Sequence, residues 1–253
     1  MRAVDASTPS TSTDEESPRV APSVELRDVV VRRGPRVALR NVTFALQPGT
    51  VTAVVGPNGA GKSSLLGVLS GRLSASEGLV RLDGAVAEVL QSTRGNEQLM
   101  LTVEDIVRMG RYADRGLFGR LRPSDRAVVE RALEATDLVD LRRRSFNELS
   151  GGQRQRTLVA QGLARQTPIL LLDEPTAGLD VRSQRHLSAI IRAEAAKGTT
   201  VIVATHDLDD AGRADNVIVL ACDCLCCAPP VTALADPAVT ALFETSPRWA
   251  RSA

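Results

Sequence analysis

The chain has 253 residues, of which 43% are hydrophobic and 24% are charged, as in an ordinary globular protein. Its 31 Lys and Arg against 30 Asp and Glu give a net charge of +1, without the basic excess typical of nucleic-acid-binding proteins. Aromatic residues make up 2% of the chain and offer few rings for stacking bases. We therefore expect a large single domain, or a core with an inserted subdomain, and no nucleic-acid partner.

The N-terminal residues 1–22 are rich in Ser, Thr, Pro and acidic residues. Such a composition buries too little apolar surface to fold, so a disordered tail is expected before a folded domain at 23–250. The segment has no apolar stretch of the kind found in signal peptides, and no part of the sequence has the roughly 18 consecutive apolar residues of a membrane helix. The sequence predicts a cytosolic protein that serves a membrane only through a partner.

The first part of the chain reads as strands. Two β-branched runs at 24–33 and 37–46 are joined by the turn pair Gly34-Pro35, which predicts an antiparallel hairpin. A third strand ends on Gly56, and a helix follows from about Gly61. Two further runs have strand composition, 78–84 and 85–91.

Residues 93–164 change to helical patterns. The first helix has Thr102 as its expected N-cap with Asp105 three residues on, a second starts at Pro123, and a third starts at Ser150. Strands then return at 168–174 and 199–207, separated by a helix expected to end on Gly198. Apolar strands alternating with helices indicate a parallel sheet covered on both faces.

The segment "GPNGAGKSS" matches the phosphate-loop pattern G-x-x-x-x-G-K-[ST] between a predicted strand and a predicted helix. Its backbone N–H groups and the positive helix end favour phosphate, so ATP is the expected ligand. Lys62, one of two lysines in the chain, would bridge the β- and γ-phosphates, and Ser63 would ligate Mg²⁺. The predicted nucleotide-binding residues are Gly56, Pro57, Asn58, Gly59, Ala60, Gly61, Lys62, Ser63 and Ser64.

This motif gives the fold class: α/β, with a P-loop NTPase (RecA-like) core and parallel sheet, a small N-terminal antiparallel β subdomain and an inserted α-helical subdomain at about 93–164. The alternative reading of the loop is a glycine-rich turn with an exposed lysine. The flanking strand and helix disfavour it.

The segment "ILLLDEP" supplies two carboxylates at a strand end. Asp173 is expected to hold Mg²⁺, and Glu174, which strand alternation would point elsewhere, is expected to act as general base on the attacking water. His206 follows the next strand, where it could reach a γ-phosphate. The alternatives are a pair of surface carboxylates and a structural histidine.

A second anion-facing segment, "LSGGQ", occupies 149–153. Ser150, Gly151, Gly152 and Gln153 offer a hydroxyl and N–H donors at a helix start, but no ammonium group. This is half of an anion site, suited to covering a phosphate that a lysine elsewhere already holds. The alternative is a plain serine N-cap.

Taken in order, the P-loop, Gln91, "LSGGQ", "LLLDEP" with "AGLD", and His206 resemble the nucleotide-binding subunit of an ABC transporter, over about 24–247. The resemblance implies Mg²⁺-dependent ATP hydrolysis in a head-to-tail dimer of ATP-binding subunits, with "LSGGQ" of one subunit closing over ATP on the other. It implies that Asp180 helps join the subunits and that Gln91 reaches Mg²⁺ or the nucleophilic water.

The resemblance also implies partners: transmembrane permease subunits contacted by the Gln91 loop and the helical insertion, an extracytoplasmic solute-binding protein, and a peripheral location at the cytoplasmic face of the plasma membrane. The segment at 101–138 is most similar to importers of manganese or zinc, with iron-chelate importers next. A non-transport ABC ATPase is the alternative. The ribosomal kind usually carries two cassettes and the DNA kind a long coiled coil, and this sequence has neither.

Two positions depart from the family pattern. Arg33 stands where the family places an aromatic ring against adenine, and its guanidinium plane could stack on the base instead. Gly212 lies in a shortened segment after His206, so the helix there is expected to be weak.

All four cysteines lie close together at Cys222, Cys224, Cys226 and Cys227. Strand alternation would place the first three on one face, where thiolates could bind a metal. The spacing is not C-x₂-C, however, and ligands along one strand spread too widely for a tetrahedral ion. A hairpin of small apolar residues is therefore the favoured interpretation.

Overall fold

The structure, a computed structural model, describes residues 21–90, 101–115 and 121–244. Nine strands in this part form one mixed sheet in the order β4-β1-β2-β9-β8-β3-β7-β6-β5. Their bounds are β1 Val24–Arg33, β2 Arg36–Leu46, β3 Val51–Val55, β4 Glu77–Leu82, β5 Val86–Val89, β6 Ile169–Asp173, β7 Thr200–Ala204, β8 Asn216–Ala221 and β9 Asp223–Ala228.

The described helices flank the sheet or follow one another between β5 and β6. They are α1 Lys62–Leu69, α2 Val103–Arg115, α3 Pro123–Ala135, α4 Gly151–Ala164, α5 Val181–Ala195, α6 Leu208–Ala211, α7 Pro230–Leu234 and α8 Pro237–Glu244. No helix in the described part of the chain is long and apolar enough to cross a bilayer.

The small antiparallel part consists of β1, β2 and β4, as predicted. Val24 pairs with Leu46 of β2 on one side and with Leu82 of β4 on the other. The connection to the rest of the sheet is a single pair between Arg40 of β2 and Asp223 of β9.

The predicted parallel core is confirmed. β3 pairs in parallel with β7 and β8, and β6 pairs in parallel with β7 and β5. One face of these strands packs in a hydrophobic cluster with α1. The other face packs in two clusters, one with α5 and one with α6, α7 and α8, so both faces are covered. β9 adds to β8 in antiparallel fashion and makes the sheet mixed.

The helical insertion has its own core between α2, α3 and α4. The predicted cap is present, since Asp105 N donates to Thr102 Oγ1 at 3.2 Å and Thr102 N donates to Asp105 Oδ2 at 3.0 Å. The buried Arg111 joins the three helices, because its guanidinium contacts Asp125 at 3.1 Å and donates to Ala164 O at 2.9 Å. The start predicted at about residue 93 lies outside the described residues, as do residues 1–20 of the predicted tail.

The ends of α5 and α6 can be compared with the sequence predictions. α5 ends at Ala195, before the expected Gly198, which takes the left-handed φ of 103° in the following turn. The expected weakness after His206 is seen as α6, a four-residue helix that ends before Gly212.

The faces predicted for the cysteines are wrong. The β8–β9 pairing has a bulge, because Val219 pairs with Cys226 whereas Leu220 pairs with Cys224, and Leu225 is left over. Cys224 and Cys227 therefore pack on one side of the sheet and Cys226 on the other. Within the described part of the chain, no cluster of His, Cys, Asp and Glu could hold a metal ion.

Candidate nucleotide-binding site

The phosphate loop between β3 and α1 is closely surrounded by backbone. Gly56 has φ 154° and Gly61 has φ 103°. A Cβ atom on Gly56 would lie 2.3 Å from Leu220 O, and one on Gly61 would lie 2.6 Å from Ala38 O. Only glycine fits these two positions, and the loop therefore keeps a concave main-chain surface at the start of α1.

Lys62 is the buried cation of this loop, with 9% of its surface exposed. Its Nζ donates to the loop carbonyls of Gly56 at 2.6 Å and Pro57 at 3.3 Å. Burial lowers the pKa of the ammonium, and the charges of Glu174 and Asp173 oppose that shift. An ammonium withdrawn from water and held by neutral carbonyls would gain from an anion placed in the loop.

Asp173 ends β6 on the side of the sheet that faces α1. Burial raises the pKa of its carboxyl, and the negative charges of Glu174 and Glu88 raise it further. The positive charges of Lys62 and Arg72 oppose this shift. A cation between these carboxylates would relieve their repulsion, which is what a Mg²⁺ site requires.

Glu174 lies just beyond the strand, in the left-handed region with φ 47°. Its N–H donates to Ala204 O of β7 at 2.9 Å. Strand alternation therefore does not set the direction of its side chain, contrary to the sequence prediction; a strained turn does, and such strain is common at functional sites. The turn brings Glu174 Oε1 to 3.4 Å from Nδ1 of His206.

Two other predicted residues fall in less enclosed positions, and a third cannot be placed. Ser63 is exposed at the first turn of α1, and Gln91 lies outside the described residues. Arg33 is exposed at the end of β1, opposite Arg36. The same hairpin contacts the phosphate loop further along, where a Cβ on Gly61 would lie 2.5 Å from Leu39 Cδ2.

The "LSGGQ" segment forms the start of α4. Ser150 caps the helix reciprocally with Gln153, by bonds of 3.3 Å from Gln153 N to Ser150 Oγ and 3.0 Å from Ser150 N to Gln153 Oε1. The structural reading as a serine N-cap is thus correct. The cap does not account for the whole segment, because Gly151 is exposed at the positive end of a 14-residue helix.

The same segment packs against the start of α5 in its own chain. A Cβ on Gly152 would lie 2.7 Å from Ser183 Oγ, and one on Gly151 would lie 3.9 Å from Leu179. Asp180 caps α5 by accepting bonds of 2.9 Å from both N and Oγ of Ser183, which lower the pKa of its carboxyl. Residues 150–153 and 179–183 therefore form one continuous surface.

Sequence reasoning missed the support beneath the phosphate loop. Cys222, in the β8–β9 turn, donates from its N to Ala60 O at 3.0 Å, and its carbonyl accepts from Arg40 N at 2.8 Å. Its φ of 68° is left-handed, which a cysteine in a predicted strand does not signal. A second missed contact joins the turn after β6 to α6, where Thr176 Oγ1 donates to Asp210 Oδ2 at 2.7 Å.

Comparison with known proteins agrees with this geometry. Residues 39–177 match the family model described as ABC transporter. The chain is 37% identical to the manganese transport system ATP-binding protein MntA of Synechocystis over 68% of this chain and 70% of that protein. It is 41% identical to the hemin import ATP-binding protein HmuV of Pseudomonas fluorescens over 75% and 80%, respectively.

Solved structures show the same fold. One is from a transporter described as of the metal-chelate type, in an inward-facing conformation; it has a TM-score of 0.81 and 29% identity and covers 88% of this chain and 89% of that one. Another is a dimeric bacterial ABC transporter cassette, MJ0796, with a TM-score of 0.68 and 26% identity over 82% and 98%. With a family match over residues 39–177 and a phosphate loop facing two strand-end carboxylates, the chain belongs to the ABC transporter family as an ATP-binding ATPase.

Proposed function

We propose that the chain is the ATP-hydrolysing subunit of an importer for a metal ion of the manganese or zinc type, or for a metal chelate, acting through separate permease subunits. The observation that carries the ATPase part is the convergence of Lys62, Asp173, Glu174 and His206 at one edge of the sheet. The cargo rests on the manganese and hemin relatives named above.

The nucleotide would be held by the main chain of Gly56–Ser64 and by Lys62. These residues fit a nucleotide phosphate, because the loop has no room for Cβ atoms at Gly56 and Gly61 and the Lys62 ammonium is buried among neutral carbonyls. Mg²⁺ would be held by Ser63, Asp173 and Gln91, where it would neutralise phosphate charge. Arg33 would lie beside the base at the end of the hairpin that packs on the loop.

Glu174 would accept a proton from the attacking water, and His206 would hold the γ-phosphate side of the site. Their 3.4 Å separation lets the imidazole orient the carboxylate while both remain near the strand ends. Because Glu174 sits in a left-handed turn bonded to β7, its position is coupled to the strand that carries His206.

The "LSGGQ" segment would complete the site of a second subunit. Ser150, Gly151, Gly152 and Gln153 supply donors without a cation, so they can add to a phosphate already neutralised by Lys62 but do little alone. Asp180 belongs to the same surface through Ser183. The dimeric cassette of similar fold supports this arrangement. ATP would thus hold two subunits together, and hydrolysis would release them.

In this arrangement the subunit lies peripherally at the cytoplasmic face of the plasma membrane. The partners are transmembrane permease subunits and an extracytoplasmic solute-binding protein. The relatives named above are transport or import ATP-binding proteins, which favours a transport role over the non-transport alternative.

The test is reconstitution of the chain with the permease encoded nearest to it in liposomes. We expect ATP-dependent uptake of radiolabelled manganese, zinc or a ferric chelate, lost in Lys62→Ala. Uptake of one cargo class identifies the substrate. ATP hydrolysis that no membrane protein stimulates, with no uptake of any of the three, would reject the transport role while leaving the ATPase assignment intact.

A further inference from the structure

A groove of about 600 Å³ lies between α3 and the end of α5, which we call the α3–α5 groove. One wall is the face of α3 that carries Val128, Arg131 and Ala132, and the other contains Glu194, Lys197 and Thr199. Val128 and Ala132 are buried at 7% and 4% exposure, whereas Arg131 is exposed. The groove thus has an apolar wall with a cation on its rim, and it separates the helical insertion from the core.

The charges of the groove are not balanced. Lys197 pairs with Glu194 at 2.9 Å, and Thr199 Oγ1 also donates to Glu194 at 3.1 Å. Within the described part of the chain no carboxylate pairs with Arg131, so the groove keeps one unmatched positive charge. An acidic segment would complement it.

The N-terminal part of the chain enters the fold at the lip of this groove. Ser23, buried at 3% exposure, shares a 2.7 Å hydrogen bond between its Oγ and Thr200 Oγ1, next to the groove residue Thr199. Ser23 O accepts from Asp83 N at 2.8 Å, and the neighbouring Gly84 packs on Pro168, a second groove residue. Pro22 is partly exposed and Ala21 fully exposed, so the chain emerges here into solvent.

The residues before this point carry the complementary charge. Asp14, Glu15 and Glu16 form an acidic run, followed by the apolar Pro18 and Val20 with Arg19 between them, so residues 14–20 have three acids, one base and a net charge of −2. Glu16 lies seven positions before Ser23, and this stretch spans up to about 23 Å when extended, which exceeds the size of a compact groove of this volume. The acidic run can therefore reach Arg131 while Pro18 and Val20 pass the apolar wall.

We propose that residues 14–20 of this chain dock in the α3–α5 groove, with the acidic run against Arg131 and Lys197. Because the two walls belong to the helical insertion and to the core, a docked segment ties them together. It restrains any movement of the insertion against the core and so slows the ATPase cycle. Docking is a contact within one chain, independent of the cargo and of the dimer.

The test is hydrogen exchange of the amides of residues 8–20 in the full chain, measured by mass spectrometry. In low salt we expect exchange about tenfold slower than in the free peptide of the same sequence, since a few exposed ion pairs bias such an equilibrium only modestly. At 0.5 M NaCl the protection should disappear, because screening acts on exposed charges.

Charge reversal separates the groove from other docking places. Arg131→Glu should abolish the protection, and combining it with Glu15→Arg and Glu16→Arg should restore it. Arg126→Glu, an exposed change on α3 outside the groove, is the matched control and should leave protection unchanged. Free-peptide exchange rates in the full chain at low salt would overturn the proposal, as would protection that survives Arg131→Glu.

Discussion

Nδ1 of His206 lies 3.4 Å from Oε1 of Glu174, and the two residues follow neighbouring parallel strands. The proximity depends on the left-handed conformation of Glu174 and on its hydrogen bond to Ala204 O. The proposed base and the imidazole proposed to face the phosphate are thus held together by a main-chain bond between Glu174, just after β6, and the end of β7. This relationship gives the first prediction.

Glu174→Gln should keep ATP binding and lower the turnover number by about 10²- to 10⁴-fold, the range expected on loss of a general base. The amide keeps the shape of the side chain but does not accept the proton of the attacking water. ATP that is bound and not hydrolysed should then hold two subunits together, as a dimer visible by size-exclusion chromatography with Mg-ATP. Glu77→Gln, on the exposed β4, is the control, and wild-type turnover in Glu174→Gln would refute the base assignment.

Gly152→Ala should destabilise the chain by about 1–3 kcal/mol, as overpacking does, because its new Cβ would lie 2.7 Å from Ser183 Oγ. Adding Ser183→Ala removes that oxygen but keeps the Cβ of residue 183 at 3.1 Å and loses the 2.9 Å bond to Asp180, so only part of the loss should be recovered. Urea unfolding of the two single variants and the double variant measures this coupling. Strictly additive losses would show that the two segments do not pack as described.

Base selectivity should depend on Arg33. Hydrolysis of ATP and GTP by the wild type and by Arg33→Ala is compared through kcat/KM. Stacking of the guanidinium on a purine contributes on the order of 1 kcal/mol at an exposed site. The Ala variant should therefore lose about fivefold in kcat/KM for ATP, mainly through a higher KM, and with it the preference for ATP over GTP. Arg33→Tyr should restore it. Arg32→Ala removes an arginine that pairs with Glu77 at 3.2 Å and should have no such effect; an unchanged KM in Arg33→Ala would reject the contact.

Stability should respond to pH through Asp210. Burial raises the pKa of its carboxyl, and the hydrogen bond from Thr176 opposes this only partly. A raised native-state pKa means that the folded chain binds the proton more tightly than the unfolded chain does. This carboxyl therefore lowers the free energy of unfolding as the pH rises above the pKa of the unfolded state, which is about 4. Asp210→Asn should therefore be more stable than the wild type at pH 7, with the difference shrinking towards pH 4.

Thermal unfolding of the wild type and Asp210→Asn at pH 4 to 7 checks this sign. Thr176→Val, which removes the donor to Asp210, should cost about 1–3 kcal/mol at pH 7. If Asp210→Asn proves less stable than the wild type at pH 7, the desolvation argument fails.

The cysteines should react as thiols of a packed hairpin. Burial raises the pKa of Cys224 to about 12 and that of Cys227 to about 11, whereas Cys222 is exposed. Limiting iodoacetamide at pH 8 should therefore alkylate Cys222 well before Cys224 or Cys227, which are both half-buried, as peptide mapping would show. Purified reduced protein should contain no stoichiometric zinc; one equivalent per chain would contradict the packing of β9.

Much of the fold could be predicted because local signals agreed with the tertiary structure. β1 lies where the β-branched run of residues 24–33 predicted it, and α4 begins directly after Ser150. The bulge at Leu225 could not be predicted, since an alternating pattern does not reveal an extra residue in one strand of a pair.

The candidate site was predicted less completely than the fold. Sequence motifs predicted Lys62 and Asp173. The left-handed turn at Glu174 and the Thr176–Asp210 hydrogen bond could not be predicted, because they depend on tertiary contacts with β7 and α6. Gln91, inferred from the family pattern, lies outside the described residues and stays a prediction.

The β8–β9 turn supports the phosphate loop chiefly through main-chain atoms: Cys222 N donates to Ala60 O and Cys222 O accepts from Arg40 N, while the Cys222 thiol makes a longer contact of 4.0 Å with Gly59 O. A change of the Cys222 side chain therefore leaves both backbone bonds in place, provided that the new residue adopts the left-handed φ of 68°.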